Sequence, residues 1–141
     1  VDAMCAKMLD PEFNKGIEVI VLPNLYGDIV TDVAAEHQGG LGTASSSNLG
    51  NQYAMFEAIH GTAPFLIDHN RGDYADPCSL IRAVGMLMAH IGYADRKQIL
   101  DQALDICTIT ERRLVVTTDR DGASAAEFTD YLLETIDGLK K

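Results

Sequence analysis

Residues 23–32 constrain the fold of this chain most, because they lead from an apolar run through a turn into a helix that carries two carboxylates. The preceding residues 17–22 have the length and β-branched content of a strand. Asp28 and Asp32 stand four residues apart, so on a helix they share one face, where like charges repel. A divalent cation between them would reverse that repulsion, because Mg²⁺ binds carboxylate oxygens. Spacing alone favours the simpler interpretation, a helix cap at Asp28 and a solvated first-turn acid at Asp32.

The charge and the cysteines exclude several classes of protein. A net charge of −10 with scattered basic residues argues against nucleic-acid binding, which needs clustered Lys and Arg. Cys5, Cys78 and Cys107 lie far apart without a CxxC pair, which argues against a disulfide framework or a zinc site. They indicate reduced thiols, and therefore predict a cytoplasmic protein. No apolar run has membrane-spanning length, so no membrane partner is expected.

The pattern predicts a helix-rich α/β fold within a chain of 141 residues, long enough for one domain. The chain begins without Met in a helical pattern, which predicts that it is part of a larger protein. The predicted helices are residues 2–9, 28–37, 77–91, 95–112 and 125–139; the predicted strands are residues 17–22 and 53–59, with a brief strand or loop end at 115–118; the predicted loops are residues 12–16, the glycine-rich stretch 39–50, and an exposed insertion at 65–76.

Two further segments invite a functional interpretation. The turn at residues 60–64 follows a predicted strand, where ligands of α/β sheets often bind, although a plain turn remains the favoured interpretation of this pattern alone. The helix after Pro77 has Asp76 at its predicted N-cap. It carries a wide apolar stripe that is predicted to face the core, formed by Leu80, Ile81, Val84, Leu87, Met88 and Ile91. His90 lies off that stripe and is predicted to be on the surface.

Taken together, the motifs resemble the β-decarboxylating dehydrogenases, the family of isocitrate, isopropylmalate and homoisocitrate dehydrogenases. The resemblance covers nearly the whole chain and matches the C-terminal portion of that family. It is strongest at residues 24–32, 39–42, 48–50 and 56–64, whose order and separations match as well. Of the three activities, the segment 56–58 with Thr62 is most similar to isocitrate enzymes.

The resemblance implies a role for each matching residue. Asp28 and Asp32 match two aspartates that hold Mg²⁺ or Mn²⁺, acting as a Lewis acid, at the hydroxyl and carboxylate of a 2-hydroxy acid. Asp2 matches a third metal aspartate, donated across a homodimer to the partner's site, and helices 2–9 and 28–37 match the dimer interface. Leu41 matches a residue near the nicotinamide. The adenosine end of NAD(P) is expected at His60, Gly61, Thr62, Ala63 and Pro64.

Coenzyme choice follows from the residues after that turn. Phe65 and Leu66 occupy the positions where NADP-dependent relatives carry a Lys-Tyr pair that meets the 2′-phosphate. Asp68 would accept from the ribose hydroxyls and repel such a phosphate, so NAD is expected rather than NADP. Asp76 stands where the family usually has an Asn that touches the adenine, and an ionised Asp cannot donate that hydrogen bond.

The family's catalytic Tyr and Lys have no counterpart in this sequence, so no catalytic residue is assigned to the chain. We expect a metal-binding and dimer-interface segment at residues 1–38 and a cofactor-binding segment at 39–141. Two hypotheses follow. The chain is either the C-terminal region of an isocitrate-type dehydrogenase, inactive alone, or a non-catalytic nucleotide-binding or regulatory subunit.

Overall fold

The computed structural model describes residues 2–38, 40, 43–117 and 121–140. Within these ranges the predicted α/β organisation, weighted to helix, is confirmed. The elements in chain order are α1 (Asp2–Lys7), α2 (Pro11–Asn14), α3 (Asn24–Gln38), β1 (Ser45–Leu49), β2 (Ala54–Ala58), α4 (Pro64–Asp68), a 3₁₀ helix (Gly72–Tyr74), α5 (Cys78–His90), α6 (Ala94–Asp105), a π-helical turn (Ile106–Thr110) and α7 (Ala125–Leu139). None of the described helices is both long and apolar enough to cross a membrane.

An antiparallel hairpin is the sheet of the described region. Ser45 pairs with Ala58 at one end of the ladder, and Leu49 pairs with Ala54 at the other. The prediction of a strand at β2 is confirmed, whereas the prediction of a loop at β1 is wrong. The sequence of β1, Ser-Ser-Ser-Asn-Leu, has few β-branched or aromatic residues, so its strand depends on pairing with β2 and on contact with α5.

The core lies between α6, the π-helical turn and α7, with the start of α5 packed against it. Ala103, Leu104 and Cys107 are fully buried there, and Phe128 is 2% exposed. The prediction of α7 is confirmed at both ends, and Phe128, Leu132 and Ile136 pack as the periodicity indicates. The prediction that Leu133 lies on the same packed side is wrong, because its side chain is 54% exposed. Tyr131 is buried beside them and was not expected. Its ring is also covered by the guanidinium of Arg113, 4.0 Å from the ring centroid.

Helix α5 presents small residues to its neighbours and leaves most of its apolar stripe exposed. Ser79, Ala83 and Gly85 are buried, because α5 lies against the hairpin and α6. Ile81 and Met88 are half-buried as expected. The prediction that the whole stripe faces the core is wrong for Leu80, Val84, Leu87 and Ile91, which are 55%, 44%, 39% and 57% exposed. The helical period is correct, but small side chains allow the closer approach and therefore take the inner face.

The predicted strand at residues 17–22 is not formed in the described part of the chain. These residues lie between α2 and α3 without regular structure, and Val19 and Val21 are 77% and 88% exposed. A strand requires a neighbouring strand to satisfy its backbone groups, and no described segment pairs with this one. Residues 17–22 therefore have the composition of a strand but lack a partner strand in the described part of the chain.

Three boundaries differ from those expected. Helix α3 begins four residues before Asp28, because Pro23 supplies the carbonyl for the first helical hydrogen bond, from the Gly27 amide at 2.8 Å. The loop predicted at 12–16 contains most of α2, which starts at Pro11 and is capped by Asp10. The insertion predicted at 65–76 contains α4 and the 3₁₀ helix, because Leu66 is buried and anchors α4. The first predicted helix does end before Asp10-Pro11, as expected.

The Ser79 hydroxyl joins α5 to both strands of the hairpin. It donates a hydrogen bond to the carbonyl oxygen of Ala44, just before β1, and accepts one from the amide of Ile59, just after β2, at 3.3 Å. Ser79 itself is fully buried, and both hydrogen bonds are lost if its hydroxyl is removed.

We expect Ser79→Ala to lower the free energy of unfolding by about 1–3 kcal/mol, because it removes two hydrogen bonds that each contribute about 0.5–1.5 kcal/mol. Urea denaturation followed by circular dichroism measures this change. Ser46→Ala, a change of the same size on β1, is the control and is expected to have a much smaller effect. Equal losses in the two variants would show that the Ser79 bridge contributes little.

A capping box begins α7. The Ser124 hydroxyl accepts from the Glu127 amide, and a Glu127 carboxylate oxygen accepts from the Ser124 amide at 2.8 Å. The hydrogen bond from the Ser124 amide, followed by that from its hydroxyl, lowers the pKa of Glu127 below 4.5. A group with a lowered pKa stabilises the fold above its unfolded pKa, and this contribution is lost as the pH falls through the folded pKa.

We therefore expect Glu127→Ala to destabilise the chain near neutral pH and to make progressively less difference as the pH falls below 4.5. Thermal unfolding of both proteins between about pH 7 and about pH 3 measures that convergence. Glu12→Ala, in the short helix α2, is the control. A stability difference between wild type and Glu127→Ala that is independent of pH would contradict the role of the ionised carboxylate.

Candidate functional site

The two aspartates predicted to bind metal lie on one exposed face of α3. Val30, two residues from each aspartate, is buried on the opposite side of the helix, while Asp28 and Asp32 are both exposed. Thr31 lies between them, and its hydroxyl donates to the carbonyl oxygens of Gly27 at 2.8 Å and Asp28 at 3.1 Å. Neither carboxylate makes an ion pair with a described residue. Their oxygens are therefore available to an external cation.

This donor set fits a hard divalent cation, because ionised carboxylates one helical turn apart are ligands that Mg²⁺ and Mn²⁺ accept. Among the described residues of a single chain, no three His, Cys, Asp or Glu side chains cluster closely enough to hold a metal. Asp2 therefore does not join Asp28 and Asp32 within one chain. It lies at the exposed start of α1, where its carboxylate accepts from the Ala3 amide at 2.7 Å.

The turn at residues 60–64 is exposed and leads directly from the hairpin into α4. The His60 Nδ1 lies 3.0 Å from the Gly61 carbonyl oxygen. A Cβ atom added to Gly61 would meet nothing within 4 Å, so this chain leaves open space above that backbone. Ala63 has φ 48° and ψ 56°, a left-handed conformation that costs a residue with a Cβ roughly 1–2 kcal/mol. Such strain is common where backbone shape serves a ligand.

The residues expected to set coenzyme choice differ in exposure. Phe65 is 61% exposed, and its ring stacks near the His69 ring with 4.2 Å between centroids. Asp68, at the end of α4, is exposed. Leu66 is only 8% exposed, so its side chain anchors α4 while only its backbone remains near the turn. Leu41 lies outside the described residues.

A cavity of about 350 Å³ brings Asp76 close to the residues that flank the glycine-rich segment 39–42. Gln38, the last residue of α3, and Thr43 line one side of it. The end of the helix that carries Asp28 and Asp32 therefore borders this cavity. The Asp76 carboxylate accepts from the Cys78 amide at 2.8 Å. Helix α5 begins at Cys78 with Pro77 at its N-cap, so the prediction that Asp76 is the N-cap is wrong by one residue. The remaining lining residues come from α5, the π-helical turn, the loop after it and α7: Cys78, Arg82, Cys107, Thr108, Ile109, Arg112, Leu114, Val115, Val116 and Phe128.

Two arginines of this cavity were not expected from the sequence. The Arg82 guanidinium pairs with Asp105 at 3.0 Å, while its Nε is buried without a hydrogen-bond partner. Arg112 has φ 48°, a second strained residue with a Cβ. A π-helical turn often marks a functional site, and this one forms part of the cavity wall. The only signal in the sequence was the adjacent pair Arg112-Arg113, which spacing alone could not place at a cavity.

The three cysteines are free thiols, as expected. Burial, followed by the hydrogen bond and negative charge of Asp76, raises the pKa of the Cys78 thiol well above its usual range. A thiol held protonated is a weak nucleophile, so Cys78 serves packing rather than covalent chemistry.

Comparison with known proteins identifies the family of this chain. The family model for isocitrate/isopropylmalate dehydrogenase matches residues 1–136. A regulatory subunit of the mitochondrial NAD isocitrate dehydrogenase of Dictyostelium discoideum is 42% identical, over 96% of this chain and 37% of its own length. The NADP isocitrate dehydrogenase of Rickettsia felis is 49% identical over 61% of this chain and 17% of its own. The isocitrate dehydrogenase structure from Methylococcus capsulatus has a TM-score of 0.81 and 32% identity, over 96% of this chain and 39% of that one.

The chain thus spans less than two fifths of the length of these relatives. Matches of sequence and of structure extend over nearly all of its own residues. The chain belongs to the isocitrate/isopropylmalate dehydrogenase family.

Proposed function

We propose that this chain supplies the metal aspartates and the adenosine-binding turn of an NAD-dependent oxidative decarboxylase acting on an isocitrate-like 2-hydroxy acid. The observation that carries the proposal is the exposed pair Asp28 and Asp32, one helical turn apart and free of ion pairs within the described region. Membership of the family supports a role for those carboxylates as metal ligands.

A divalent cation bound there supplies Lewis-acid chemistry, withdrawing electron density from the substrate oxygens it meets. The residues of the chain provide its position. Asp28 and Asp32 hold the cation on a helix whose backbone is fixed by Thr31 and by burial of Val30. We propose that Asp2 of the partner subunit completes the ligand set in a homodimer built on α1 and α3. That arrangement explains why Asp2 lies apart from the pair within one chain.

For the cofactor we propose NAD, bound with its adenosine between the turn at 60–64 and Asp76. Open space above Gly61 and the left-handed backbone at Ala63 support a close approach of the ligand to this turn. Phe65 and the buried Leu66 present no cation to a 2′-phosphate, and the carboxylate of Asp68 would repel one. The free thiols support a reducing, cytosol-like compartment for the protein.

A second candidate function is that of a non-catalytic regulatory subunit. It is favoured by one finding, the 42% identity to a relative that is named as regulatory. An antibody against this segment tests the mass of the protein in its native source, and a band near 15.3 kDa would favour a short non-catalytic chain. A band of full family length fits both candidates, because the regulatory relative is itself much longer than this chain, and the dehydrogenase activity of that purified protein then separates them.

We expect Asp28→Asn to weaken Mn²⁺ binding by about tenfold or more, because a neutral amide replaces a charged ligand. Calorimetric titration with MnCl₂ measures this loss, and circular dichroism is expected to show an unchanged fold. Asp130→Asn, an acid on α7, is the matched control and is expected to leave Mn²⁺ affinity unchanged. Unchanged affinity in Asp28→Asn would contradict a role for Asp28 as a metal ligand, and a capping role is already excluded because α3 begins at Asn24.

We also expect this 141-residue chain alone to produce no NADH from isocitrate, NAD and Mn²⁺, since the chain has no match to the family's catalytic Tyr and Lys. Absorbance of NADH at saturating Mn²⁺ measures this. A turnover that disappears in Asp28→Asn would contradict the prediction and place the whole reaction in this chain.

A further inference from the structure

The cavity beside Asp76 has a cationic side chain that lacks a partner in the described part of the chain. Arg112 lines the cavity, and it makes no hydrogen bond or ion pair with a described residue. Its neighbour Arg113, in contrast, bonds Glu134 at 2.8 Å and lies over the Tyr131 ring. A guanidinium is always protonated in proteins and only donates hydrogen bonds, so an unpaired one at a cavity wall attracts an anion.

The backbone that carries this guanidinium is fixed at the cavity. Arg112 has φ 48°, a left-handed conformation that is uncommon for a residue with a Cβ. The residues on either side are both bonded to α7: Glu111 accepts from the Tyr131 hydroxyl at 2.7 Å, and Arg113 donates to Glu134. Such strain persists only where the surroundings impose it, and it is concentrated at ligand sites.

A second guanidinium at the same cavity has an unused donor. One terminal nitrogen of Arg82 pairs with Asp105 at 3.0 Å, while the Arg82 Nε is buried without a hydrogen-bond partner. A buried donor without an acceptor is costly, so an explanation for it is required. An oxyanion inside the cavity would supply the missing acceptor.

The charges of the lining favour a ligand with one negative charge. Among the described lining residues, Arg82 and Arg112 carry two positive charges and Asp76 carries one negative charge, which leaves a net charge of +1. The Asp76 carboxylate, which accepts from the Cys78 amide, would repel a second negative charge on the same ligand. A monoanion therefore balances the charge of this cavity, and a dianion does not.

Much of the remaining wall is apolar, which a bare inorganic ion would leave uncovered. The volume of about 350 Å³ is that of a small-molecule site. Ile109 and Val115 at its wall are 68% and 44% exposed, so a ligand with an apolar body would remove apolar surface from water. The apolar side chains of the lining are Ile109, Leu114, Val115, Val116 and Phe128.

We propose that this cavity binds a small organic monocarboxylate. The carboxylate would accept from the Arg112 guanidinium and from the Arg82 Nε, and the apolar body would lie against Leu114 and Phe128. No residue of the turn at 60–64 is among the described lining residues, so this site is separate from the proposed adenosine turn, although Asp76 borders both. The inference requires neither a metal nor NAD.

Titration of the isotope-labelled chain with benzoate, followed by nuclear magnetic resonance, tests the proposal. We expect benzoate to shift the amide signals of Thr108 and Leu114 and to saturate with a dissociation constant of about 1 mM. Benzamide lacks the charge, acetate lacks the apolar body, and sulfate carries a second charge. We expect each of these three probes to bind about tenfold more weakly than benzoate, or less tightly still.

Arg112→Gln supplies the matching variant, because it removes the charge and leaves a side chain of similar length on the same backbone. We expect it to weaken benzoate binding about tenfold or more, since the charged donor to the carboxylate is lost. Arg96→Gln, which removes the same charge from an exposed site on α6, is the control and is expected to leave the affinity unchanged.

Three outcomes would overturn the proposal. The first is equal affinity for benzoate and benzamide, which would exclude recognition of the carboxylate. The second is benzoate affinity that Arg112→Gln lowers no more than Arg96→Gln does. The third is a set of shifted signals centred on residues 60–64 instead of on Thr108 and Leu114. If circular dichroism shows that Arg112→Gln does not fold, the four probes on the wild-type chain decide. All samples lack Mn²⁺ and NAD, so a failure here is distinct from a failure of the proposed function.

Discussion

The fully buried Ser79 is the contact on which the position of the hairpin against α5 depends. It joins α5 to the carbonyl of Ala44 and the amide of Ile59, so one side chain fixes both ends of the hairpin. The turn that begins at His60 starts one residue after Ile59, the glycine-rich segment 39–42 ends two residues before Ala44, and Asp76 stands three residues before Ser79. One hydroxyl therefore joins the start of β1, the end of β2 and the first turn of α5. Exposed segments of this kind are precise only when a rigid element supports them.

Elements whose stability is local could be predicted from the sequence. Helix α7 was located at both ends because its apolar residues recur with a helical period from Phe128 to Ile136. The hairpin strand β1 could not be predicted, since a run of three serines has no strand signal and takes its conformation from β2 and α5. The buried face of α5 was missed for a related reason: a hydrophobic stripe shows the period of a helix but not how closely its neighbours approach. At residues 17–22 the sequence predicted a strand that is not formed. These residues have a strong β propensity, but no described segment pairs with them.

The candidate site divides in the same way. Asp28, Asp32 and the turn at residues 60–64 are contiguous motifs, so their order alone identified the family, and helix geometry then places both carboxylates on one face. The cavity beside Asp76 is assembled from α3, α5, the π-helical turn and α7. No spacing in the sequence places Arg82 or Arg112 at its wall, because that position depends on how four elements pack. The family could therefore be identified from the sequence, whereas the lining of the pocket could not be predicted.

The strained backbone at Arg112 has a mechanical consequence for that cavity. Its two neighbours are both tied to α7: Glu111 accepts a 2.7 Å hydrogen bond from the Tyr131 hydroxyl, and Arg113 bonds Glu134 at 2.8 Å. Burial, together with the Glu111 carboxylate, raises the pKa of Tyr131 to about 12, so the phenol stays a donor at any physiological pH. Arg112 lies between these two tied residues, so a change of its left-handed conformation requires that the Glu111 or the Arg113 contact breaks. Helix α7 thus holds the loop that carries Arg112 at the cavity wall through Tyr131 and Glu134. A substitution at the exposed Glu134 is therefore expected to change the shape of the cavity lining.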